Sequence, residues 1–254
     1  MLPLSVVIIA KNEANALKSS LPPVQGWAKE IIVVINDCTD NTKEVAESFG
    51  ATVIEHPWEG YGNQRNFAQS CAHEEWILKL DADEVITEEL KTSIENFFNN
   101  AQLVNKTTVC KCFRCNYWLA HCFSHFKDDI PILLKKNAVH WEKAVHEHLN
   151  FKGKVYFLKK GILHHYTEIS VLHTLQKNIN YAQISASDLE KKHSMRILVL
   201  KAIANPILCF FKCFLFRGYF LEGFPGFYYS VISSFYTFFK YIFAIEKKIL
   251  KKNK

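Results

Sequence analysis

The 254-residue sequence lacks the glycine-rich loops by which many α/β proteins bind nucleotides. No Gly-x-Gly-x-x-Gly follows the first apolar run, and no Walker-type phosphate loop is present. Gly60-Tyr61-Gly62 alone is weak evidence for a phosphate site. These absences argue against dinucleotide-binding and P-loop chemistry of the classical kind.

The chain also lacks a basic segment of the kind that opens a secretory leader. We therefore expect a cytoplasmic protein whose eight cysteines are reduced thiols rather than a disulfide framework. Apolar residues make up 49% of the chain, which is enough for a large core and argues against disorder.

The net charge of +6 is modest but unevenly spread. The last eight residues contain no acid and the following lysines: Lys247, Lys248, Lys251, Lys252 and Lys254. Such a basic tail suits an anionic membrane surface or nucleic acid. A solvated helix end accounts for it equally well.

No uncharged run reaches the roughly 20 mostly apolar residues that a membrane-spanning helix needs. The longest, residues 223–239, contains a proline and two glycines, and residues 197–216 include Lys201, Pro206 and Lys212. Residues 197–254 nevertheless hold 11 of the 20 phenylalanines. We predict helices that lie in a membrane interface, aromatic side down. The alternatives are a helical cap on the sheet and a dimer interface.

Apolar, β-branched runs alternate with stretches of helical period in the first hundred residues. The predicted strands are residues 4–9, 30–35, 52–56 and 76–80, and the predicted helices are residues 13–21, 41–49 and 63–71. This alternation predicts an α/β fold with a mostly parallel sheet covered on both faces. We divide the chain into a donor-binding half (1–105), an acceptor-facing half (106–167) and a helical region (168–254).

Asp81-Ala82-Asp83-Glu84 directly follows the fourth predicted strand. Open α/β sheets bind their ligands beyond the carboxyl ends of such strands. Two carboxylates on alternate residues offer hard oxygen ligands to a divalent cation, and that cation can hold a diphosphate. An isolated Asp-x-Asp is weak evidence, because many are solvated turns.

Further motifs occur with this one in a fixed order along the chain: residues 9–13, 36–42, 62–68, 80–84, 145–147, 163–167, 180–182 and 218–223. The series resembles family 2 inverting glycosyltransferases, and within them the bacterial lipopolysaccharide-core β-1,4-glucosyltransferase group. The resemblance implies a GT-A type fold with a membrane-associating C-terminal region. It also implies a nucleotide-diphosphate sugar as donor, a lipid-linked oligosaccharide as acceptor, and no role for nucleic acid.

The resemblance implies roles for both aspartates of the motif. Asp81 and Asp83 would hold Mg²⁺ or Mn²⁺ against the diphosphate, with Asp83 the more direct ligand. Other side chains would line the donor site: Lys11, Asn12, Glu13 and Arg65. The guanidinium of an arginine can reach phosphate oxygens. A first-turn helix acid and a surface helix residue are the alternatives for Glu13 and Arg65.

One position departs from the family pattern. The family typically has an aspartate at the end of the second strand, where it contacts the nucleobase, and this chain has Ile35. An isoleucine cannot accept a hydrogen bond from a base. Asn36 or Asp37 would substitute after a one-residue shift, so uridine specificity does not follow.

Inversion requires a base that deprotonates the acceptor hydroxyl. Glu147 matches the family carboxylate, His146 would orient it or contact the acceptor, and Glu142 is the local rival. His165 and Tyr166 would contact the acceptor or the metal. A packed core histidine is an equal alternative for that pair.

A cysteine-rich stretch could be drawn as a zinc site through Cys112, Cys115, Cys122 and His125. However, Cys112 and Cys115 lie in a predicted strand, residues 111–118, where they would point to opposite faces. Buried cysteines are also common core residues. We therefore expect no structural zinc.

These expectations combine into a metal-dependent, inverting glycosyltransferase at the cytoplasmic face of the inner membrane. It would transfer a hexose, in the first instance glucose, to a lipid-linked core oligosaccharide. A polyprenyl-phosphate glycosyltransferase is the near alternative, since its ionised acceptor needs no strong base. A non-catalytic, metal-binding membrane adaptor is the alternative from another class.

Overall fold

The computed structural model describes residues 1–118, 121–142, 148–168 and 170–252. The chain packs into two compact units. The first comprises Met1–Cys115 and Asp128–His165, and the second comprises Asn116–Lys127 and Tyr166–Lys254. The division at residues 105 and 167 is a functional one and stays a prediction.

The described strands are β1 Leu2–Ala10, β2 Ala28–Ile35, β3 Thr52–Glu55, β4 Trp76–Asp81, β5 Glu84–Ile86, β6 Thr107–Trp118, β7 His121–Lys135, β8 Val139–Glu142, β9 His148–Phe151 and β10 Lys154–Glu168. The described α-helices are α1 Ala14–Ser20, α2 Thr42–Ser48, α3 Tyr61–Ser70, α4 Glu88–Phe98, α5 Ala101–Lys106, α6 Val171–Lys192, α7 Met195–Phe211 and α8 Gly223–Lys252. Short 3₁₀ segments at Lys136–Ala138 and Tyr219–Glu222 and a π-helical turn at Lys212–Phe216 complete the elements.

Eight of these strands form one sheet in the order β3-β2-β1-β4-β7-β6-β10-β5, and β8 and β9 form a separate hairpin. Strands β3, β2, β1 and β4 run parallel. Strand β7 is antiparallel to β4, and β5 is antiparallel to β10. The sheet is therefore mixed, with a parallel part formed by the first four strands, and the expected GT-A type α/β architecture is confirmed.

The parallel strands are apolar along their whole length because helices cover both of their faces. Val6 and Ile8 of β1 face a core that includes Leu17 of α1 and Leu90 of α4. Val7 faces the other way, into a second cluster with Ala68 of α3. The three predicted helices of this region agree with α1, α2 and α3 to within two residues at each end.

Helix α4 was not predicted, although its start is marked in the sequence. Thr87 caps the helix, because its hydroxyl accepts the Leu90 amide hydrogen at 3.2 Å. Glu88 and Glu89 place negative charge in the first turn, where the helix dipole favours it. Local capping chemistry of this kind was sufficient to predict the helix.

In the second unit, α8 packs on α6 and α7 through small and apolar side chains: Ala186, Leu198, Ala202, Tyr241 and Ala244. Helices α7 and α8 also expose many large apolar residues: Leu200, Ile203, Ile207, Leu208, Phe211, Phe224, Phe227 and Phe235. One described helical stretch, Met195–Phe216, has the length and composition to cross a membrane, with a mean hydropathy of 1.8.

The basic tail is less free than the sequence alone indicates. Lys251 Nζ lies 2.7 Å from Glu190 Oε2 of α6, and Lys248 Nζ donates to the Glu190 carbonyl at 2.8 Å. Lys247 donates to Ser187 Oγ at 2.7 Å. These lysines therefore hold the end of α8 against α6.

The expectation that all eight cysteines are reduced is wrong for two of them. Cys115 and Cys122 are disulfide-bonded, and the other six are free thiols. A disulfide sulfur is not a thiolate ligand, so two of the four residues of the hypothetical zinc site are unavailable to a metal. Cys112 is fully buried in the core, and burial raises the pKa of its thiol to about 12.

Candidate active site

The loops that follow β1 and β2 are tied together by the side chain of Asn12. Its Oδ1 accepts the amide hydrogen of Thr39 at 2.7 Å. Asn12 and Asp37 both adopt left-handed backbone conformations, with φ of 56° and 42°. Asparagine and aspartate tolerate this region better than most residues. Lys11 Nζ lies 3.7 Å from Asp37 Oδ2, so three of the predicted donor-site residues form one exposed polar rim.

Asp40 holds the beginnings of α1 and α2 in place. Its two carboxylate oxygens accept the amide hydrogens of Ala14 at 3.2 Å and of Thr42 at 3.1 Å. The Thr42 hydroxyl in turn accepts the amide hydrogen of Glu13 at 2.9 Å. Both helix starts, and with them Glu13, are thereby fixed beside the two loops.

Ile35 is part of the hydrophobic core, with 3% of its surface exposed. The next residue, Asn36, is also buried, but its side-chain Nδ2 has no hydrogen-bond partner among the described residues. A buried amide donor without a partner is costly and calls for a ligand or water. Asn36 rather than Ile35 therefore presents a polar group at the end of β2, and its contact with a nucleobase stays a prediction.

Asp81 lies at the end of β4 between two cations. Arg65 Nη2 is 2.9 Å from its Oδ1, and Lys79 Nζ is 3.1 Å from its Oδ2. Burial opposes ionisation of Asp81, but the charges of Arg65 and Lys79 outweigh it and hold the pKa of the carboxyl well below its usual range. The Arg65 guanidinium also lies 5.2 Å from the ring centre of Trp141. The charge of Asp81 is thus already compensated by the protein.

Glu84, which the sequence analysis did not assign to the site, is fully buried directly behind Asp81. Its Oε2 accepts the Asp81 amide hydrogen at 2.9 Å and lies 3.3 Å from Lys79 Nζ. Its Oε1 lies 3.2 Å from Arg114 Nη1. Glu84 therefore fixes the backbone of the aspartate turn and is itself held by Lys79 of β4 and Arg114 of β6. A signal for this was present, since Lys79 interrupts an otherwise apolar strand.

Asp83 contacts His165 on the solvent-accessible side of the same turn, which we call the open side. Glu84 pairs with His165 in the antiparallel β5–β10 register. As a result His165 Nε2 lies 3.5 Å from Asp83 Oδ1, with the two side chains 14% and 31% exposed. The structure therefore brings together two of the predicted site residues that are 82 positions apart. Tyr166 belongs to the second unit, where burial and the neighbouring Tyr117 raise the pKa of its hydroxyl.

The electrostatics of the open side fit a divalent cation. Burial, followed by the charges of Asp83 and Asp40, raises the pKa of Glu13 to about 7. Three acids are thus concentrated where no lysine or arginine of the described chain pairs with them. One oxygen or nitrogen each from Asp81, Glu84 and His165 lies within 4.8 Å of the others. These three groups, and Asp83 beside His165, could hold Mg²⁺ or Mn²⁺.

The β8–β9 hairpin packs over α3 beside these residues. Asn66 binds the backbone of Trp141 twice: its Oδ1 accepts the amide hydrogen at 2.9 Å, and its Nδ2 donates to the carbonyl at 2.8 Å. Glu142 and His148 form the last pair of the hairpin. The predicted base Glu147 and its neighbour His146 lie outside the described residues. The rival Glu142 is exposed, and its Oε1 accepts a hydrogen from Asn150 at 2.8 Å.

Comparisons with known proteins identify the family of the chain. Residues 5–154 match the family described as glycosyl transferase family 2. An uncharacterized glycosyltransferase of Rickettsia prowazekii is 31% identical over 93% of this chain and 85% of its own length. The lipopolysaccharide core biosynthesis glycosyltransferase LpsC of Rhizobium meliloti is 23% identical over 98% of this chain and 94% of its own.

Among solved structures, glucosyl-3-phosphoglycerate synthase from Mycobacterium tuberculosis, in complex with Mn²⁺, uridine diphosphate and glucosyl-3-phosphoglycerate, is 22% identical. That match has a TM-score of 0.35 and covers 44% of this chain and 43% of the other. The family match covers more than half of the chain, and the Rickettsia relative matches it almost from end to end. The chain belongs to glycosyl transferase family 2.

Proposed function

We propose that this glycosyltransferase is metal-dependent and inverting, and that it moves a hexose, in the first instance glucose, from a nucleoside diphosphate to a lipid-linked lipopolysaccharide core oligosaccharide. The observation that supports metal-dependent donor binding is the contact between Asp83 and His165, whose side chains are 3.5 Å apart and lie near the acids Glu13 and Asp40. A divalent cation held by Asp83 and His165 would offset the charge of the departing diphosphate.

The protein's own residues account for binding at the donor site. Arg65 is aligned by Asp81, and a guanidinium binds phosphate oxygens well. The loops of Asn12 and Asp37 frame the nucleoside, and the unpaired amide of Asn36 is available to its base. An asparagine both donates and accepts, so it does not restrict the base to uracil.

Transfer with inversion is a single displacement. The acceptor hydroxyl oxygen forms a bond to the anomeric carbon while the bond from that carbon to the diphosphate oxygen breaks on the opposite face. The hydroxyl proton passes to Glu147, and the nucleoside diphosphate leaves. His146 orients Glu147 or contacts the acceptor.

Donor binding is tested by a thermal-shift panel of nucleoside diphosphate sugars with and without Mn²⁺, because a ligand that binds the folded state raises the melting temperature. We expect at least one member to stabilise the wild type only when Mn²⁺ is present. Asp83→Asn should abolish that shift, whereas Asp188→Asn, at an exposed position on α6, should retain it. If no nucleoside diphosphate stabilises the protein, the proposed function is wrong.

The base is tested by comparing the two candidate carboxylates, Glu147 and Glu142. Glu147→Gln should reduce turnover by a factor of at least about 100, whereas Glu142→Gln should leave it within about threefold. Unchanged turnover in Glu147→Gln would favour a polyprenyl-phosphate acceptor, which is already ionised. Turnover that is lost only in Glu142→Gln would assign the base to the rival residue.

The exposed apolar surfaces of α7 and α8 support membrane association, which we propose on the cytoplasmic face. Many large apolar side chains exposed on two packed helices indicate an interaction site. We expect co-sedimentation with vesicles that contain phosphatidylglycerol, and loss of it when Leu200→Glu and Ile203→Glu are combined. An unaltered bound fraction in that double variant, or a soluble dimer in place of vesicle binding, would contradict the membrane proposal.

A further inference from the structure

A cavity of about 460 Å³ opens beside Asp81 in the first unit, and its walls are unusually basic. The charged residues that line it are Arg65, Lys79, Lys111, Arg114 and a single acid, Asp81. The remaining walls are mainly apolar: Ile130, Pro131, Trp141, Leu149 and Phe151, with His148 at one side. We refer to this cavity as the basic pocket.

The basic pocket lies away from the loops that frame the nucleoside. Lys111 and Arg114 belong to β6, and Ile130 belongs to β7. In the sheet order, β7 and β6 lie on one side of β4, and β1 and β2 lie on the other. Strand β6 is three strand positions from β1 and four from β2. At about 4.8 Å per strand, this separates Lys111 and Arg114 from the loops that follow β1 and β2. Arg65 and Asp81 line both the donor site proposed above and this pocket, so the pocket adjoins the donor and its β6 side, with Lys111 and Arg114, is the side available to an acceptor.

The two β6 cations are held by partners that solvent can reach. Lys111 Nζ lies 3.3 Å from Asp129 Oδ2, and Arg114 Nη2 lies 3.3 Å from Asp128 Oδ2. The two aspartate side chains are 58% and 50% exposed. Ion pairs with such exposed groups are weak, and an entering anion can take over the cation.

Arg114 has an additional unused donor. Its Nε is buried and has no hydrogen-bond partner among the described residues. The guanidinium is held by Glu84 on one side, so its position is fixed before any ligand arrives. A preorganised guanidinium next to a lysine suits a phosphate or a carboxylate.

We propose that the basic pocket binds the acceptor through an acidic group, a phosphate or a carboxylate carried by the saccharide that receives the hexose. The anion would exchange with Asp129 and Asp128 for Lys111 and Arg114, while the apolar walls contact the sugar ring. This inference rests on the proposed function and specifies the chemical class of its acceptor.

The test uses the full chain saturated with Mn²⁺ and a nucleoside diphosphate, so that the donor site is filled. Glucose 6-phosphate, glucuronate and neutral methyl glucoside are titrated separately by calorimetry. We expect at least one acidic probe to bind at least tenfold more tightly than the neutral one, and the preferred acid identifies phosphate or carboxylate. Raising the salt concentration should weaken that binding.

Lys111→Gln should weaken binding of the acidic probe at least fivefold and leave the Kd of the nucleoside diphosphate unchanged. Lys159→Gln is the matched control, since Lys159 is an exposed lysine on β10 outside the basic pocket. Asp129→Asn removes the competing carboxylate and should bind the acid at least as tightly as the wild type does.

Equal binding of neutral and acidic probes, or an unchanged Kd in Lys111→Gln, would overturn the proposal. So would a Lys111→Gln variant that loses the nucleoside diphosphate instead, since the pocket would then belong to the donor. If the wild type binds no nucleoside diphosphate, the proposed function fails. Acid binding measured without nucleotide would still support an anion site at Lys111.

Discussion

The buried carboxylate of Glu84 offers the sharpest test of how the site is held together. Its Oε2 lies 3.3 Å from Lys79 Nζ and accepts the Asp81 amide hydrogen at 2.9 Å, and its Oε1 lies 3.2 Å from Arg114 Nη1. Removing one partner of a buried ion pair costs about 3–5 kcal/mol, because it leaves an uncompensated charge behind. In Glu84→Gln both cations keep a second acid, Asp81 for Lys79 and Asp128 for Arg114. We therefore expect the lower end, about 3 kcal/mol.

Glu88→Gln is the matched control. Glu88 Oε1 lies 3.1 Å from Lys91 Nζ, as close as the buried pair, but its side chain is 82% exposed. An exposed pair of this kind contributes about 0–1 kcal/mol, even in the first turn of a helix. The two variants thus make the same chemical change at nearly the same ion-pair distance and differ in burial.

Urea unfolding followed by tryptophan fluorescence measures both variants. Four of the five tryptophans lie in the first unit, so the signal reports mainly on the unit that contains Glu84: Trp27, Trp58, Trp76 and Trp141. A loss in Glu84→Gln of less than about 1 kcal/mol, or one equal to that in Glu88→Gln, would refute the reasoning that burial makes this carboxylate indispensable.

Three further predictions follow from single residues. Gly161→Ala should cost about 2 kcal/mol more than Gly50→Ala in urea unfolding, because φ is similar at both sites but a Cβ at Gly161 would lie 2.2 Å from a backbone nitrogen of α4; equal losses would contradict this. The raised pKa of Glu13 means that the folded state binds more protons than the unfolded state between pH 4.5 and about 7. The free energy of unfolding of the metal-free protein should therefore fall by about 1 kcal/mol as the pH rises through that window, after allowance for solvent screening. Glu13→Gln should lack this part of the pH dependence. His165→Ala should raise the Kd for Mn²⁺ at least about tenfold in calorimetry, and an unchanged Kd would remove His165 from the metal site.

The parallel half of the fold could be predicted because its signals are local. Apolar runs such as residues 76–80 reveal buried strands, and Asp81 and Asp83 follow such a run directly. The contacts of Glu84 with Arg114, and of Asp83 with His165, depend on which strands become neighbours in the sheet. Pairings across 30 and 82 residues leave no periodic trace in one sequence, so only resemblance pointed to His165 and nothing pointed to Arg114.

The cysteine prediction failed for a related reason. It inferred the state of all eight thiols from the expected compartment, which is a property of the environment and not of any one pair. Whether two cysteines can bond is decided by the distance and direction of their Cβ atoms. That geometry is fixed by the strands β6 and β7 that carry Cys115 and Cys122, and composition does not report it.

Acidic and basic side chains near the ends of the strands lie in different regions of the sheet, and this separation bears on the order in which the metal, the donor and the acceptor bind. Near the loops that follow β1 and β2 lie Glu13 and Asp40, and their charge and that of Asp83 raise the pKa of Glu13 after burial does. A diphosphate is repelled there until a divalent cation reverses the local charge. Toward β7 and β6 lie Lys111 and Arg114, which attract anions without any metal. Donor binding should therefore require the metal, whereas binding of an acidic acceptor probe should persist in a chelator.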